Sequence, residues 1–331
     1  MNTKLGTVFS LLAVAAAPAA ALEFELRADS DVIGSVQIIE GAHEDTFPRL
    51  ARRYDVGYEE LRRANPDVDA WLPGEGTPIV IPTQFVLPDA PRRGIVINVP
   101  ELRLYYFPDG DEGRVFTYPI SIGKEQWGTP YGRTSVIGKT VKPTWYPPQS
   151  IRDEHAARGD FLPTAVPPGP DNPLGDYALR LGIGGGSYLI HGTNSPGGLG
   201  MRVTHGCIRM FPEDVEALFA MVDNGTPVTI VNQPYKLGWA DGGLYLEAHP
   251  PLTEEVVDEQ WSVTDLTSMF VRVTQERRVN LRWDDADRII ATASGLPEFV
   301  SVPGTMSWIV ETPELADAGE ATGAVTTTGE L

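Results

Sequence analysis

The chain has 331 residues, of which 42% are hydrophobic and 21% are charged, a composition typical of globular proteins. Its 26 basic and 45 acidic residues give a net charge of −19, which argues against nucleic acid or an anionic membrane surface as the main partner. At about 150 residues per domain, a chain of this length predicts two or three folding units.

The N-terminus has the pattern of a secretory signal peptide. Lys4 precedes the apolar run "LGTVFSLLAVAAAPAAA", which ends in small residues suited to cleavage after Ala21. Residues 1–21 are therefore predicted to be removed during export. No cysteine lies at the cleavage site, so we expect no lipid anchor, and no later segment has the roughly 20 apolar residues of a membrane span.

Residues 36–82 are predicted to form a strand, two helices and a second strand. Asp45 or Thr46 can cap the first helix, whose apolar residues recur at helical spacing. The second helix should end at Asn65, because the residue before a proline is steered away from helical backbone angles. The run "TPIVIP" is the closing strand.

This order, with its Asn-Pro pair and the ending "LPGEGTPIVIP", resembles the LysM module. The resemblance implies a small βααβ unit that binds the glycan of peptidoglycan. Residues 41–46, "GAHEDT", stand where the family has a compact G-D-T turn, and the alternative is a spacer that keeps the fold without binding sugar.

A linker is predicted over residues 83–93, followed by a mainly β domain over residues 94–232. Short β-rich runs with Gly and Pro at the turns indicate a domain built from sheet: "GIVINV", "LRLYYF", "GRVFTYPISIG", "TSVIGKTV", "YALRL" and "SYLIHG". Residues 144–176 are rich in proline and too long for a simple connection, which is typical of a functional loop over a cleft.

A helix is predicted to begin at Pro212 and to end at Gly225, with a further strand, "TPVTIV", after it. Residues 233–310 are predicted to form a smaller α+β subdomain with a helix in "SVTDLTSMFVRVTQ". Residues 311–331 are low in hydrophobicity and are predicted to be a disordered tail.

The only cysteine lies in "HGTNSPGGLGMRVTHGCIRM", which begins at His191. An exported chain with one cysteine has an intermolecular disulfide or a free thiol, and a buried, inert side chain is the simpler alternative. His191 ends a strand, and the glycine-rich loop after it is long enough to place the imidazole beside Cys207 as a base. The backbone N–H groups near Gly206 and Cys207 are candidate oxyanion donors.

Two arginines and a second histidine flank this thiol. Arg202 and Arg209 would lower its pKa and could bind a substrate carboxylate. A zinc site formed by His191, His205 and Cys207 is an alternative, although a fourth ligand is missing nearby. The remaining histidines lack such a setting and are predicted to be surface or packing residues: His43, His155 and His249.

The quoted segment resembles the signature of the bacterial L,D-transpeptidases, in which a histidine and a glycine-rich loop precede S/T-H-G-C. The motifs "GPDNPLG" and "IHGT" add to the match over residues 94–232. The resemblance implies a YkuD-type β-sandwich with a helix after the catalytic cysteine. Together with the LysM-like unit and the tail, it is similar to the periplasmic group that attaches lipoproteins to peptidoglycan.

The resemblance implies a role for each matching position. Cys207 would be the nucleophile, His191 the general base and acid, and the backbone carbonyl of Gly192 the group that orients the imidazole. His205 would be a supporting residue, and Gly206 would contribute to the oxyanion site. Three residues are expected to bind substrate, including a threonine in place of the commoner serine and an arginine where some branches have asparagine: Arg202, Thr204 and Arg209.

The implied reaction is acyl transfer without a cofactor or metal. Cys207 would form a thioester with the third residue, meso-diaminopimelate, of a tetrapeptide stem and release D-alanine. The acceptor would be the lysine of a lipoprotein or the amine of another diaminopimelate. An L,D-carboxypeptidase that uses water, and a non-catalytic peptidoglycan-binding protein, remain as alternatives.

Overall fold

The computed structural model describes residues 21–111, 113–124, 128–252, 263–277 and 279–302. The predicted signal peptide, apart from Ala21, and the predicted C-terminal tail lie outside the described residues. None of the helices in these ranges combines the length and the apolar character needed to cross a bilayer.

The N-terminal unit has the predicted βααβ order. Its elements are β3 (Gln37–Glu40), α1 (Phe47–Tyr54), α2 (Tyr58–Ala64) and β4 (Pro78–Ile81). The two strands pair antiparallel, and their apolar side chains and those of the helices share one small core. Asn65 links the end of α2 to β4, because its side-chain amide donates to the Leu61 and Val80 carbonyls while its oxygen accepts the Val80 N–H.

The start of α1 differs from the prediction. Thr46 is at the cap position in an extended conformation, but its side chain makes no capping hydrogen bond. The Asp45 carboxylate accepts the Ala42 N–H at 2.9 Å and pairs with Arg53 at 3.0 Å. Asp45 therefore closes the turn before the helix.

Nine strands form the main sheet, in the order β1-β8-β7-β6-β15-β10-β11-β12-β14. They are β1 (Leu22–Glu25), β6 (Gly94–Asn98), β7 (Arg103–Phe107), β8 (Arg114–Pro119), β10 (Gly132–Val141), β11 (Tyr177–Leu181), β12 (Leu189–His191), β14 (Ile208–Arg209) and β15 (Pro227–Val231). Two small pairs flank it: β2 (Val32–Gly34) with β5 (Gln84–Val86), and β9 (Ile122–Gly123) with β13 (Arg202–Thr204).

The main sheet curls around one large core, where the sequence predicts a two-sheet sandwich, and β6, β7 and β8 also contribute to a second buried cluster. Leu104 from β7 and Ile208 from β14, which have five strands between them in the sheet, belong to the same buried cluster. Leu218 of α4 (Pro212–Met221) lies in that cluster as well. The mainly β catalytic domain is thus confirmed, and one strongly curved sheet replaces two layers.

Two helices of the β domain differ from the sequence prediction. The helix α4 stops at Met221, because Val222 already has extended backbone angles, whereas the prediction ended it at Gly225. The proline-rich loop contains a helix that was not predicted, α3 (Gln149–Ala156).

The C-terminal part has a sheet of three strands, β16 (Tyr235–Ala240), β17 (Gly243–Ala248) and β19 (Glu298–Phe299), and a pair formed by β18 (Asn280–Leu281) and β20 (Ser301–Val302). It also contains the predicted helix α5 (Val263–Glu276) and a further helix, α6 (Trp283–Thr292). Lys236 joins this part to the main sheet, because its buried ammonium lies 2.8 Å from both Glu101 and Glu247.

The N-terminal unit packs directly on the glycine-rich loop between His191 and Cys207. At the start of α2, the Tyr58 N–H donates to the Leu199 carbonyl at 3.0 Å and the Glu59 N–H donates to the Gly200 carbonyl at 3.3 Å. The first N–H groups of a helix have no partner within it, so these loop carbonyls satisfy them. The catalytic loop and the N-terminal unit are therefore bonded to each other.

Candidate active site

The parallel pairing of β12 and β14 places the two sequence-predicted catalytic residues on neighbouring strands. His191 is opposite Arg209 in the register, and Cys207 lies one residue before β14. Side chains along a strand alternate between the two faces, so Cys207 and Arg209 project to the same side. The positive charge of Arg209 acts on the pKa of both Cys207 and His191, in keeping with this placement.

The His191 imidazole is buried and has a fixed orientation. Its Nδ1 lies 2.7 Å from the carbonyl oxygen of Gly192, which can only accept, so Nδ1 carries the proton and Nε2 is left as the basic nitrogen. Burial, and secondarily the charge of Arg209, lowers the pKa of His191 to about 4. The imidazole is therefore neutral at pH 7 and can accept a proton.

Gly192 is at a crowded position. A β-carbon there would lie 3.1 Å from Val215 Cγ1 on α4 and 3.4 Å from the Leu174 carbonyl oxygen. Asn172, in the motif "GPDNPLG", is fully buried, and its amide donates to the Pro143 carbonyl at 2.8 Å while its oxygen accepts the Leu174 N–H at 2.9 Å. Asn172 thus links the two ends of the proline-rich loop, next to Gly192.

The turn that carries Cys207 is held by two threonine hydroxyls. Thr204 Oγ1 donates to the Cys207 carbonyl at 2.6 Å, and Thr129 Oγ1 donates to the Gly206 carbonyl at 3.1 Å. Gly206 has φ of 101°, a conformation that residues with a β-carbon rarely adopt. Thr204 is 4% exposed and its hydroxyl is bonded to the backbone of Cys207, so the structure gives it a positioning role, and its contact with substrate stays a prediction.

The half-buried thiol of Cys207 is protonated in the unliganded site. Burial raises its pKa, while a hydrogen bond from the Leu189 backbone and the charge of Arg209 act in the opposite direction and are outweighed. Arg209 thus lowers the pKa of this thiol as expected, but desolvation is the larger effect and the net shift is upward. The site holds a neutral thiol beside a neutral imidazole.

Arg202 and Arg209 are both half-buried. Within the described ranges the Nε of Arg209 is buried without a hydrogen-bond partner, and burial lowers the pKa of its guanidinium. An incompletely satisfied cation beside the thiol is suited to bind a carboxylate. Arg202 is in β13, which runs parallel to β9.

A helix of the proline-rich loop contacts the catalytic turn through a residue that the sequence analysis missed. Glu154 on α3 lies 2.7 Å from His205 Nε2 and 3.0 Å from Lys124 Nζ. The hydrogen bonds from His205 and then from Lys124 lower the pKa of Glu154 to about 2. Glu154 is 51 residues from His205 in the chain, so only the fold could reveal the contact.

The alternative of a zinc site at the thiol is not supported. His205 is bonded to Glu154, and in the part of the chain that the structure describes, His191, His205 and Cys207 do not gather into a ligand group. The one such group found there is Glu101, Glu247 and His249, whose carboxylates already bind the Lys236 ammonium.

Comparisons with known proteins identify the family of the catalytic domain. Residues 92–230 match the model of the YkuD family, described as the L,D-transpeptidase catalytic domain. A probable L,D-transpeptidase of Escherichia coli strain K12, YbiS, is 39% identical over 306 residues, covering 90% of this chain and 99% of that protein. Another from the same strain, YcfS, is 48% identical over 215 residues, covering 63% and 66% of the two chains.

Among solved structures, the catalytic domain of the Enterococcus faecium L,D-transpeptidase is 24% identical, with a TM-score of 0.33, and covers 44% of this chain and 100% of that one.

Proposed function

This chain belongs to the L,D-transpeptidase family with a YkuD-type catalytic domain, and we propose that it transfers peptidoglycan stem peptides through a thioester on Cys207. The observation that carries the proposal is the fixed, neutral imidazole of His191 on the strand beside the thiol. Cys207 is proposed as the nucleophile and His191 as the general base and acid, with Gly192 holding the imidazole.

The first half of the reaction forms the thioester. As Sγ of Cys207 attacks the carbonyl carbon of meso-diaminopimelate in a tetrapeptide stem, the thiol proton passes to Nε2 of His191. The backbone N–H groups of Gly206 and Cys207 are the proposed donors to the oxyanion. Collapse of this intermediate breaks the C–N bond to D-alanine, which leaves with the proton from the imidazolium. A neutral pair suits this sequence, because the proton leaves sulfur only as the S–C bond forms.

The second half transfers the acyl group to an amine. The acceptor nitrogen attacks the thioester and gives a proton to His191, the C–S bond breaks, and the thiolate of Cys207 takes that proton back. We propose the side-chain amine of another diaminopimelate or of a lipoprotein lysine as the acceptor, and Arg209, with Arg202, as the cation that binds a stem carboxylate. Both bonds that are exchanged are acyl bonds, so the reaction needs no ATP.

We also propose export to the periplasm after removal of residues 1–21, and glycan binding by the LysM-like unit over residues 36–82. The surface of this unit supports the second proposal, because Trp71 and Leu72 lie side by side in the chain and are 64% and 76% exposed. Apolar side chains of this kind can stack on sugar rings. Replacing Trp71 by Ala should weaken the sedimentation of the protein with purified peptidoglycan, and unchanged sedimentation would favour a spacer role.

The test of the enzyme uses the mature protein and a carbapenem, a β-lactam that opens on such thiols. Intact-mass analysis should show one adduct on Cys207 in the parent protein and none in Cys207→Ala. Incubation with tetrapeptide-bearing muropeptides, with and without a lysine-ended peptide, should then release D-alanine and yield a cross-linked or peptide-linked product. Products of hydrolysis alone would instead identify an L,D-carboxypeptidase. An unchanged mass, no product, and equal wall binding by Cys207→Ala would identify a binding protein.

A further inference from the structure

Two carboxyl groups, from Asp55 and Asp214, are buried together beneath the catalytic domain. Asp55 follows α1, Asp214 lies in the first turn of α4, and they are 2% and 1% exposed. The two side chains are close enough for each to change the pKa of the other. Among the described residues, Oδ1 of Asp55 and Oδ2 of Asp214 have no hydrogen-bond partner. Burying an incompletely satisfied carboxylate is costly unless a cation accompanies it.

The nearby cations are already paired with other carboxylates. The Arg103 guanidinium binds both oxygens of Glu60, at 2.8 and 2.6 Å, and reaches only the backbone carbonyl of Asp55. The Arg52 guanidinium binds both oxygens of Glu213, at 2.7 and 2.8 Å. Burial accordingly raises the pKa of Asp55 to about 6 and that of Asp214 well above its ordinary value. Among the described side chains, the two aspartates have no cation of their own.

The backbone nitrogen of Leu22 is directed at this pair. It lies 3.1 Å from Oδ2 of Asp55, at the start of β1, where Leu22 is opposite Thr117 in the main sheet. In the sequence, Leu22 is the residue that follows the small-residue segment ending at Ala21. Cleavage there would change the atom bonded to Asp55 from a neutral amide nitrogen into an α-amino group.

We propose that the α-ammonium group of Leu22, created by export processing, is the missing cation of the buried Asp55–Asp214 pair. The inference rests on the proposed cleavage after Ala21. A signal peptidase adds water across the Ala21–Leu22 bond, leaving a carboxylate on Ala21 and an amine on Leu22 that is protonated at neutral pH. That single positive charge, with up to three N–H donors, enters a site that offers two carboxyl groups.

The pair is coupled to the active site through α4. Val215, the residue after Asp214, lies next to Gly192, since a β-carbon added to Gly192 would be 3.1 Å from Val215 Cγ1. The carbonyl of Gly192 in turn fixes the imidazole of His191. A first turn of α4 that is held by an ion pair would hold Gly192 in place. The Leu22 amine is thus a positioning group for the base, and maturation of the chain would complete the site.

The experiment compares two forms of the mature protein, one beginning at Leu22 and one retaining Ala21 as an extra N-terminal residue. The extra residue moves the charge by about 3.8 Å along the chain. We expect a loss of several degrees in melting temperature and slower acylation of Cys207 by a carbapenem. In an Asp55→Asn background the two forms should melt alike, because the carboxylate that distinguishes them is gone. Equal melting temperatures and equal acylation rates in the parent background would overturn the proposal.

A second measurement needs no variant. The α-amine of the folded Leu22 form should resist an amine-reactive reagent that labels it after unfolding, whereas the form with Ala21 should be labelled while folded. N-terminal sequencing of the exported protein must also give Leu22, and a different first residue would refute the inference. These readouts do not depend on turnover, so they can fail while the carbapenem adduct on Cys207 still forms.

Discussion

Replacing Gly200 by Ala should disturb the catalytic loop through its contact with the N-terminal unit. Gly200 has φ of 82°, and a β-carbon there would lie 2.4 Å from the Cα of Gly57 and 2.6 Å from the backbone nitrogen of Tyr58. The left-handed conformation costs an alanine about 1–2 kcal/mol. Separation of the two segments would also weaken the two hydrogen bonds donated by α2, at about 1 kcal/mol each. We therefore expect a loss of about 3 kcal/mol in the free energy of unfolding.

The same displacement should reach the thiol. A shift of the loop that connects His191 to Cys207 would misalign the pair, and a misplacement of about 1 Å can cost on the order of a hundredfold in rate. The assay is the rate constant of carbapenem acylation, measured by intact mass alongside chemical denaturation.

The matched control is Gly197→Ala in the same loop, because an added β-carbon there meets nothing within 4 Å and the backbone φ is not in the left-handed region. This variant should keep the stability and acylation rate of the parent. If Gly200→Ala behaved like Gly197→Ala in both measurements, the N-terminal unit would have no part in holding the loop.

Three further predictions concern the site itself. Because the pKa of His191 is lowered to about 4, the acylation rate should stay nearly constant from pH 7 down to about pH 5 and fall only near pH 4. A fall in rate with its midpoint near the ordinary histidine value of about 6.5 would contradict this. Arg209→Gln should raise KM for tetrapeptide donors. It should also move the midpoint of the acidic fall in acylation rate to higher pH, since the charge of Arg209 helps to lower the pKa of His191. An unmoved midpoint would place Arg209 outside the site. Glu154→Gln should raise KM, because it loosens α3 from His205, and should change the free energy of unfolding by less than about 1 kcal/mol. The control is Asp153→Asn, whose carboxylate is bonded to Gln149 within α3 and which should leave KM unchanged.

Local patterns predicted those parts of the molecule that are set by local chemistry. The βααβ order of the N-terminal unit follows from helical spacing and from the proline after Asn65, and the start of α4 follows from Pro212. The strand that ends at His191 follows from its immediate neighbours. The sequence also indicated which loop contains the reactive residues, because His191 and Cys207 lie in one short segment.

Features that depend on distant segments could not be read from the sequence. Glu154 lies 51 residues from the histidine that it binds, and no local pattern marks either residue as the other's partner. The protonation state of Cys207 depends on how much of the fold covers it, so the nearby arginine suggested the wrong direction for its pKa. Thr204 has the residue type of a substrate-binding group, yet its burial turns its hydroxyl to the backbone of Cys207.

A neutral thiol and a neutral imidazole attract each other only weakly, so the rest of the fold must impose their alignment. A thiolate–imidazolium pair, in contrast, would be held in part by its own charges. The loop that carries these groups is bonded to α2 at Gly200, to α3 through His205 and Glu154, and to β12 through the main sheet. The attachments to α2 and α3 come from outside the catalytic strands, and the β9–β13 pair and the Thr129 hydroxyl on the Gly206 carbonyl add to them. A protein that lost the N-terminal unit would therefore keep the complete sequence motif, but a carbapenem would acylate its Cys207 more slowly. The motif supplies the reacting groups, whereas the attachments supply their geometry.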